Sequence, residues 1–375
     1  MKKHFSLLAM ATLAAFCLTS CSDDEDEDKA PELVPVEATD GVFVVNGGNQ
    51  SGGIDGTLTY YDYATGTATQ KVYQARNHVS LGGTVNHAVV YGSKIYIVGY
   101  DETTIFVADR KTLEKVANIK ATANNKSVKP REAVAGNGYV YVSTFDNEIL
   151  VIDTLTNSLK DYTYKSGYYT EGFALHNGYL YTADSNYGGY GDKPGSFPSI
   201  SKINLTTRET VTIKDELIYN PTDICSVGGR LFFLDMGNYA NLTASLYELT
   251  ADGKVKHITD ATAIAADNNR IYIVNAPYGA PSPTYKVFDT TTDALTDFCK
   301  GDDIISPNKI STDPVKGYVY ITSYTKGSSG YADYKADGYC VIYNEAGVKQ
   351  GQFNCGVGAG DVVPNFSVDY VQVPQ

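Results

Sequence analysis

The chain has no tryptophan, only three methionines among its 375 residues, and no long amphipathic helical pattern beyond its first residues, which points away from helical bundles. Its one marked apolar run, Phe5 to Leu18, is too short to span a bilayer comfortably. Positive charge is also in deficit: 30 Lys and Arg stand against 43 Asp and Glu, a net charge of -13. That balance argues against nucleic acid as a partner, because phosphate binding needs a basic face. No HExxH, GxSxG, phosphate-loop or EF-hand spacing occurs. The glycine-rich stretch Gly356 to Gly360 precedes a closing strand and no helix, so it reads as a connection and not a nucleotide loop. The six cysteines lack the paired spacing of a zinc site.

What is abundant is tyrosine, at 31, and glycine, at 35, the composition of turn-dense β structure. Seven short strands read apolar, aromatic, apolar, centred on Phe43, Tyr96, Tyr141, Tyr181, Phe233, Tyr272 and Tyr320. Their spacing of roughly 40 to 50 residues is that of propeller blades with four strands each. The surroundings repeat too. Tight turns such as Gly136-Asn137-Gly138 and His176-Asn177-Gly178 precede the anchors, and polar turns such as Asp109 to Thr112, Asp153 to Thr156 and Asp289 to Thr292 follow the third strands. Phe43 lacks a first strand upstream, whereas Pro364-Asn365-Phe366-Ser367-Val368 repeats the first-strand pattern at the far end. The expectation is an all-β fold: a seven-bladed β-propeller of four-stranded blades, closed by the C-terminal strand joining the first blade and leaving no open sheet edge.

The N-terminus reads as a processing signal. Lys2 and Lys3 precede the apolar run, and Leu18-Thr19-Ser20-Cys21 looks like a bacterial lipobox, with lipidation expected at Cys21. The run Ser22 to Asp28 is acidic and self-repelling, and a serine and acidic run after such a cysteine resembles the surface-export tag of Bacteroidota lipoproteins. The expected organisation is a signal peptide over 1–20, an acidic disordered tether over 21–36 and the propeller over 37–375. Attachment to the membrane would be through the lipid alone, since each buried methylene is worth about 0.8 kcal/mol. Cys340 and Cys355 flank one hairpin in an oxidising compartment, which permits a cross-strand disulfide or two free thiols.

Loops on one face carry the candidate binding surface. Because alternate strands run in opposite directions, the loop between the second and third strands opens on the same face as the connection between blades. It is short in blades two and three and long, rich in glycine and tyrosine, elsewhere. Tyrosine supplies a rigid plane with a hydroxyl, and Gly, Ser and Asn let loops approach a ligand, the mixture that binding surfaces use. The rim candidates are Tyr187, Tyr190, Phe197, Tyr239, Tyr278, Tyr324 and Tyr331, with Tyr169 at the entry to blade four. First-strand starts would make the floor: Asn86, His87, Arg131, Glu132, Glu171, Asp223, Lys309 and Phe366. Arg131 and Lys309 are local positive donors suited to amides, phosphate or carboxylate. A lone histidine such as His87 is more often a channel filler than a base or a ligand for metal, and no catalytic residue or metal site is expected.

The Gly-x-x-Tyr-Val strands and Asp-x-x-Thr turns, spread over nearly the whole mature chain, resemble the YncE-like or surface-layer-type propellers. Together with Cys21, the acidic tag and the chain length, they resemble the BtuG group of Bacteroidota surface lipoproteins. That resemblance implies a non-enzymatic protein on the outer membrane, facing the cell exterior. It would need no cofactor, would capture cobalamin or a related corrinoid, and would pass it to a BtuB-like TonB-dependent outer-membrane transporter. No ligand-contact motif of that group can be matched residue by residue, so the candidate residues rest on the loop argument. A glycan-binding surface lipoprotein is the closest rival, and a propeller lactonase or other hydrolase is the enzyme alternative. Asp153-Thr154-Leu155 and Asp289-Thr290-Thr291 also look like Bacteroidota O-glycosylation sites.

Overall fold

The computed structural model describes residues 33–185, 187, 197–238, 240–277 and 282–372. Glu37–Asp369 forms one compact unit, and the chain ends fall outside it. Within the ends, residues 33–36 and 370–372 are strand. The compact unit is a ring of seven antiparallel sheets. Blade one orders its strands as Ala359–Gln372 innermost, then Leu33–Asn46, Thr57–Asp62 and Thr67–Thr69, so the C-terminal strand completes the first blade as expected. The other innermost strands are Val85–Tyr91, Pro130–Gly136, Thr170–His176, Pro221–Val227, Ala263–Asp267 and Ser306–Asp313. The only α-helix among the described residues, Val72–Asn77, is an insertion between blades one and two.

Each aromatic anchor lies on the second strand of its blade, and its side chain is buried: Phe43, Tyr96, Tyr141, Tyr181, Phe233, Tyr272 and Tyr320 range from 0% to 7% exposed. Fully burying such a side chain contributes about 1.5–3 kcal/mol. Short turns make the sharp reversals between first and second strands. At Asn137-Gly138, Asn177-Gly178 and Gly228-Gly229 both central residues have positive φ, the geometry whose twist matches the flanking strands. The polar turns after the third strands share another device. The side-chain oxygen of Asp109 accepts from the backbone N–H groups of Lys111 and Thr112, Asp153 from Leu155 and Thr156, Asn204 from Thr206 and Thr207, and Asp289 from Thr291 and Thr292.

Two hydroxyls in these turns are engaged by backbone. Thr154 donates to Gly138 O at 2.7 Å and Thr290 to Asn269 O at 2.9 Å, and Thr290 is buried. The glycosylation resemblance at these two threonines is therefore met by hydroxyls already used to hold turns.

Buried polar contacts seal the joint between the first and last blades. Asn46 donates to Thr57 and Thr59 and accepts from Gly356 N, and Gly47 N donates to Gly358 O at 2.8 Å. The Gly356 to Gly360 stretch is thus the hinge of closure. Cys340 and Cys355 are free thiols, which corrects the permitted disulfide. The strands pair Cys340 with Phe353, so Cys355 sits diagonally from Cys340 and not opposite it. Both are buried among apolar side chains, and desolvation pushes both thiols up.

Candidate functional site

The innermost strands begin irregularly. In five blades an extra residue bulges out near the start of that strand: at Asn86, between Pro130 and Ala133, between Thr170 and Phe173, at Thr222 and at Asn308. A bulge bends the strand and re-aims side chains, which is why bulges gather next to binding and active sites. Here they turn the strand starts toward the axis of the ring. Gly172 serves this geometry, since a Cβ there would come within 2.9 Å of the Asp223 backbone.

Two cavities meet at the axis. One, of about 270 Å³, is lined by Arg131, Glu132, Glu171, Thr222, Asp223, Met236, Thr262, Asn308, Lys309 and Asp361, among others. The second, of about 430 Å³, shares Arg131, Glu132, Asn308, Lys309 and Asp361 and extends to Gln50, Asn86, Tyr324 and Gly358. A third, of about 590 Å³ and more apolar, lies between the loops of blades five and six and adjoins the first through Met236 and Thr262.

Charge is organised inside this mouth. Arg131 holds Glu171 at 2.6 Å and donates to Asn86 Oδ1 at 3.0 Å. Lys309 stands 4.0 Å from Asp361, which raises its pKa. Burial raises the Glu171 carboxyl, opposed by Arg131. Desolvation, and then the neighbouring Glu132 charge, push Asp223 up to about 7, against the pull of Lys309. Asp223 accepts one backbone N–H, from Ile224 at 2.8 Å. Among the described residues Glu132 makes no ion pair, so it and Asp223 present acceptor oxygens to the cavity.

An aromatic cluster flanks the mouth on the side of blades two to four. The Phe145 ring centroid is 4.8 Å from that of Tyr187, 5.3 Å from Tyr169 and 5.9 Å from Tyr100, and Tyr169 and Tyr187 are 5.7 Å apart. The Arg131 guanidinium lies 4.5 Å from the Phe145 centroid, joining this cluster to the charged floor. Tyr187 is 68% exposed, whereas Phe145 and Tyr169 are buried. Tyr169 has a φ of 57°, a left-handed conformation that costs a non-glycine residue on the order of 1 kcal/mol and is retained where surroundings over-determine it.

The structure therefore brings together Asn86, Arg131, Glu132, Glu171, Asp223, Lys309 and Tyr324 at the mouth, with Tyr169 and Tyr187 on its aromatic flank. His87 lines none of these cavities; its Nδ1 accepts from Ala133 N at 3.3 Å, the role of a channel filler. Phe197 packs under the Lys214 ammonium, 3.2 Å from the ring centroid, and Tyr331 is an exposed loop residue outside the cavity linings. Phe366 is also not at the mouth. The closing strand starts at Ala359, so Asp361 takes the position expected of Phe366, which lies five residues further along. Tyr190, Tyr239, Tyr278 and the lipidation candidate Cys21 fall outside the described residues. Asp361, Tyr100 and Phe145 were not among the expected residues. The first is hidden by the position of the closing strand, and the other two by lying in or beside the short loops of blades two and three.

Residues 40–356 match a family described as a domain of unknown function, DUF5074. The chain belongs to the DUF5074 family. No curated protein matches it. Among solved structures it is similar to a quinonprotein alcohol dehydrogenase-like protein from Bacteroides thetaiotaomicron, with a TM-score of 0.60 and 16% identity over 87% of this chain and 78% of that one. It is also similar to the hydrazine synthase of Kuenenia stuttgartiensis, with a TM-score of 0.54 and 13% identity over 77% of this chain and 95% of that one. U3-55K follows with a TM-score of 0.51 and 10% identity over 72% and 81%. At these identities the likeness is one of fold: a propeller of the kind that also occurs in Bacteroides. Among the described residues of this DUF5074 chain, no group of three or more His, Cys, Asp or Glu side chains is placed to hold a metal ion.

Proposed function

We propose that this DUF5074 propeller is a binding protein that captures a large, hydrogen-bonding small molecule at the axial mouth. The leading ligand is cobalamin or a related corrinoid. The observation that carries the reading is the joined set of cavities, whose centre presents carboxyl acceptor oxygens at Glu132 and Asp223 that no salt bridge among the described residues occupies. Such a floor favours a ligand edged with N–H or O–H donors, because a buried acceptor left unpaired costs about 1–3 kcal/mol. It disfavours a phosphate-rich one. A corrinoid, a flat macrocycle rimmed with primary amides, has that character, and the aromatic flank and apolar side cavity suit its uncharged faces. In this reading Cys21 carries the lipid, the propeller faces the cell exterior from the outer membrane, and the ligand passes to a TonB-dependent transporter. The protein performs no chemistry on what it binds.

Isothermal titration of the purified protein with cyanocobalamin tests the assignment. The expected result is saturable binding at micromolar concentrations or below; a flat titration, with binding on a glycan array instead, would move the assignment to the rival carbohydrate ligand. One observation favours a second reading. A carboxyl raised to about 7 inside a cleft, as at Asp223, is what a general acid or base at neutral pH needs, and supports a propeller hydrolase. Turnover of lactone or ester substrates that is lost in Asp223→Asn would establish that reading.

A further inference from the structure

Tyr187 is the most exposed member of an aromatic cluster whose other rings are packed. It rests on Phe145 and Tyr169 at centroid separations of 4.8 and 5.7 Å, with interplanar angles of 34° and 46°, while its own side chain is 68% exposed. A ring held from below in this way has lost much of its rotamer freedom before any ligand arrives, so covering its open side costs little further ordering. Beneath it, Arg131 lies against the Phe145 ring and at the same time grips Glu171 and Asn86 on the floor of the mouth. The cluster and the polar cavity are therefore one continuous surface, in which a flat apolar wall meets a hydrogen-bonding floor.

Among the described residues, the loops of blades two and three leave this wall open. In blade two the second and third strands, Lys94–Gly99 and Thr104–Asp109, are joined by four residues, and in blade three Tyr139–Thr144 and Glu148–Asp153 by three. The matching loop of blade one, between Leu33–Asn46 and Thr57–Asp62, is ten residues long. The rim is thus low beside Tyr100 and Phe145, and a broad ligand can slide over it onto Tyr187.

We propose that Tyr187, backed by Phe145 and Tyr169, is the apolar contact subsite for the methyl-bearing periphery of the corrin ring, beside its axial ligand, while the ligand's polar edge reaches Glu132 and Asp223. This rests on the corrinoid reading above and assigns the orientation of the ligand: its methyl-bearing periphery lies against blades two to four and its polar edge points to the axis. Apolar ring contact, and not the tyrosine hydroxyl, supplies the attraction.

The test uses cyanocobalamin and the full chain. Tyr187→Ala is expected to raise Kd about tenfold, the scale of losing one aromatic contact, with an unchanged thermal midpoint because the side chain is exposed. Tyr187→Phe is expected to bind within twofold of the parent. The chain has no tryptophan, so Tyr187→Trp creates a single reporter. Its emission should be quenched on adding cyanocobalamin far more strongly than that of Leu155→Trp, a control site on an exposed turn of the opposite face. If the parent binds and Tyr187→Ala loses less than threefold in affinity, or both reporters quench equally, the apolar contact subsite is wrong and the binding function stands. If the parent protein itself does not bind cyanocobalamin, the corrinoid reading and the subsite fall together.

Discussion

At one end of the blades the turns are closed alike: Asp109, Asp153, Asn204 and Asp289 each accept two backbone N–H groups from the residues that follow. At the other end the strand starts are bulged in five blades, and the side chains they carry differ from blade to blade: Asn86, Arg131, Glu171, Asp223, Lys309. On the first face these four turns satisfy their polar groups locally. The second buries carboxylates against cations from other blades and leaves Glu132 and Asp223 with acceptor capacity to spare. Repetition builds the ring, and departure from repetition, on one face, builds a site.

That contrast predicts separable effects of substitution. The largest loss of stability should come from the shared scaffold. Phe233→Ala removes a fully buried anchor ring and should cost about 3–5 kcal/mol in chemical denaturation, while the folded fraction keeps its ligand affinity. At the mouth, Arg131→Ala strands the buried Glu171 carboxylate and should cost about 3 kcal/mol while also abolishing ligand binding. Pairing Arg131→Met with Glu171→Leu should restore most of the stability and none of the binding, an outcome that denaturation and titration together would read. Recovery of binding in the double variant would break the claim that the mouth is a site.

The two faces should also respond to pH with opposite signs. Asp223 is raised in the folded protein to about 7, so the native state holds its proton where the unfolded chain has lost it. Stability from this group is therefore full below about pH 4 and declines as pH rises toward 7. Asp223→Asn should flatten that decline in melting temperature. Asp109 is lowered by the backbone N–H groups it accepts, with Thr112 foremost, so its contribution is present above about pH 4 and is lost as pH falls through its folded value. Asp109→Ala should cost about 1 kcal/mol at neutral pH and remove part of the acid sensitivity, the smallest effect of the series.

The sequence disclosed the ring because its signal is carried by repeated local chemistry: a buried aromatic on each second strand, positive φ at Asn-Gly and Gly-Gly turns, and Asp or Asn accepting from the next turn. Much of the floor was legible for the same reason, since Arg131, Glu171, Asp223 and Lys309 recur at equivalent strand starts. Asp361 was not, because the pattern Pro364-Asn365-Phe366 imitates a strand start inside a strand that begins at Ala359. Asn365 is instead a buried tie, accepting from Arg110 Nη1 at 2.9 Å. The bulges leave no mark in composition, and the contacts of Phe145 with Tyr169 and Tyr187 join residues from different blades, which strand patterns do not reveal. Cys340 and Cys355 show the same limit, since their diagonal offset depends on a register shift in the hairpin.

The central claim is that the axial mouth binds a corrinoid. Gel filtration of the purified protein with an equimolar amount of cyanocobalamin, followed by its visible absorbance, tests this most directly. The account predicts that the colour elutes with the protein, one corrinoid per chain, and returns to the small-molecule volume in the variant combining Arg131→Met with Glu171→Leu. Colour found only in the small-molecule volume with the parent protein at micromolar concentration would contradict it.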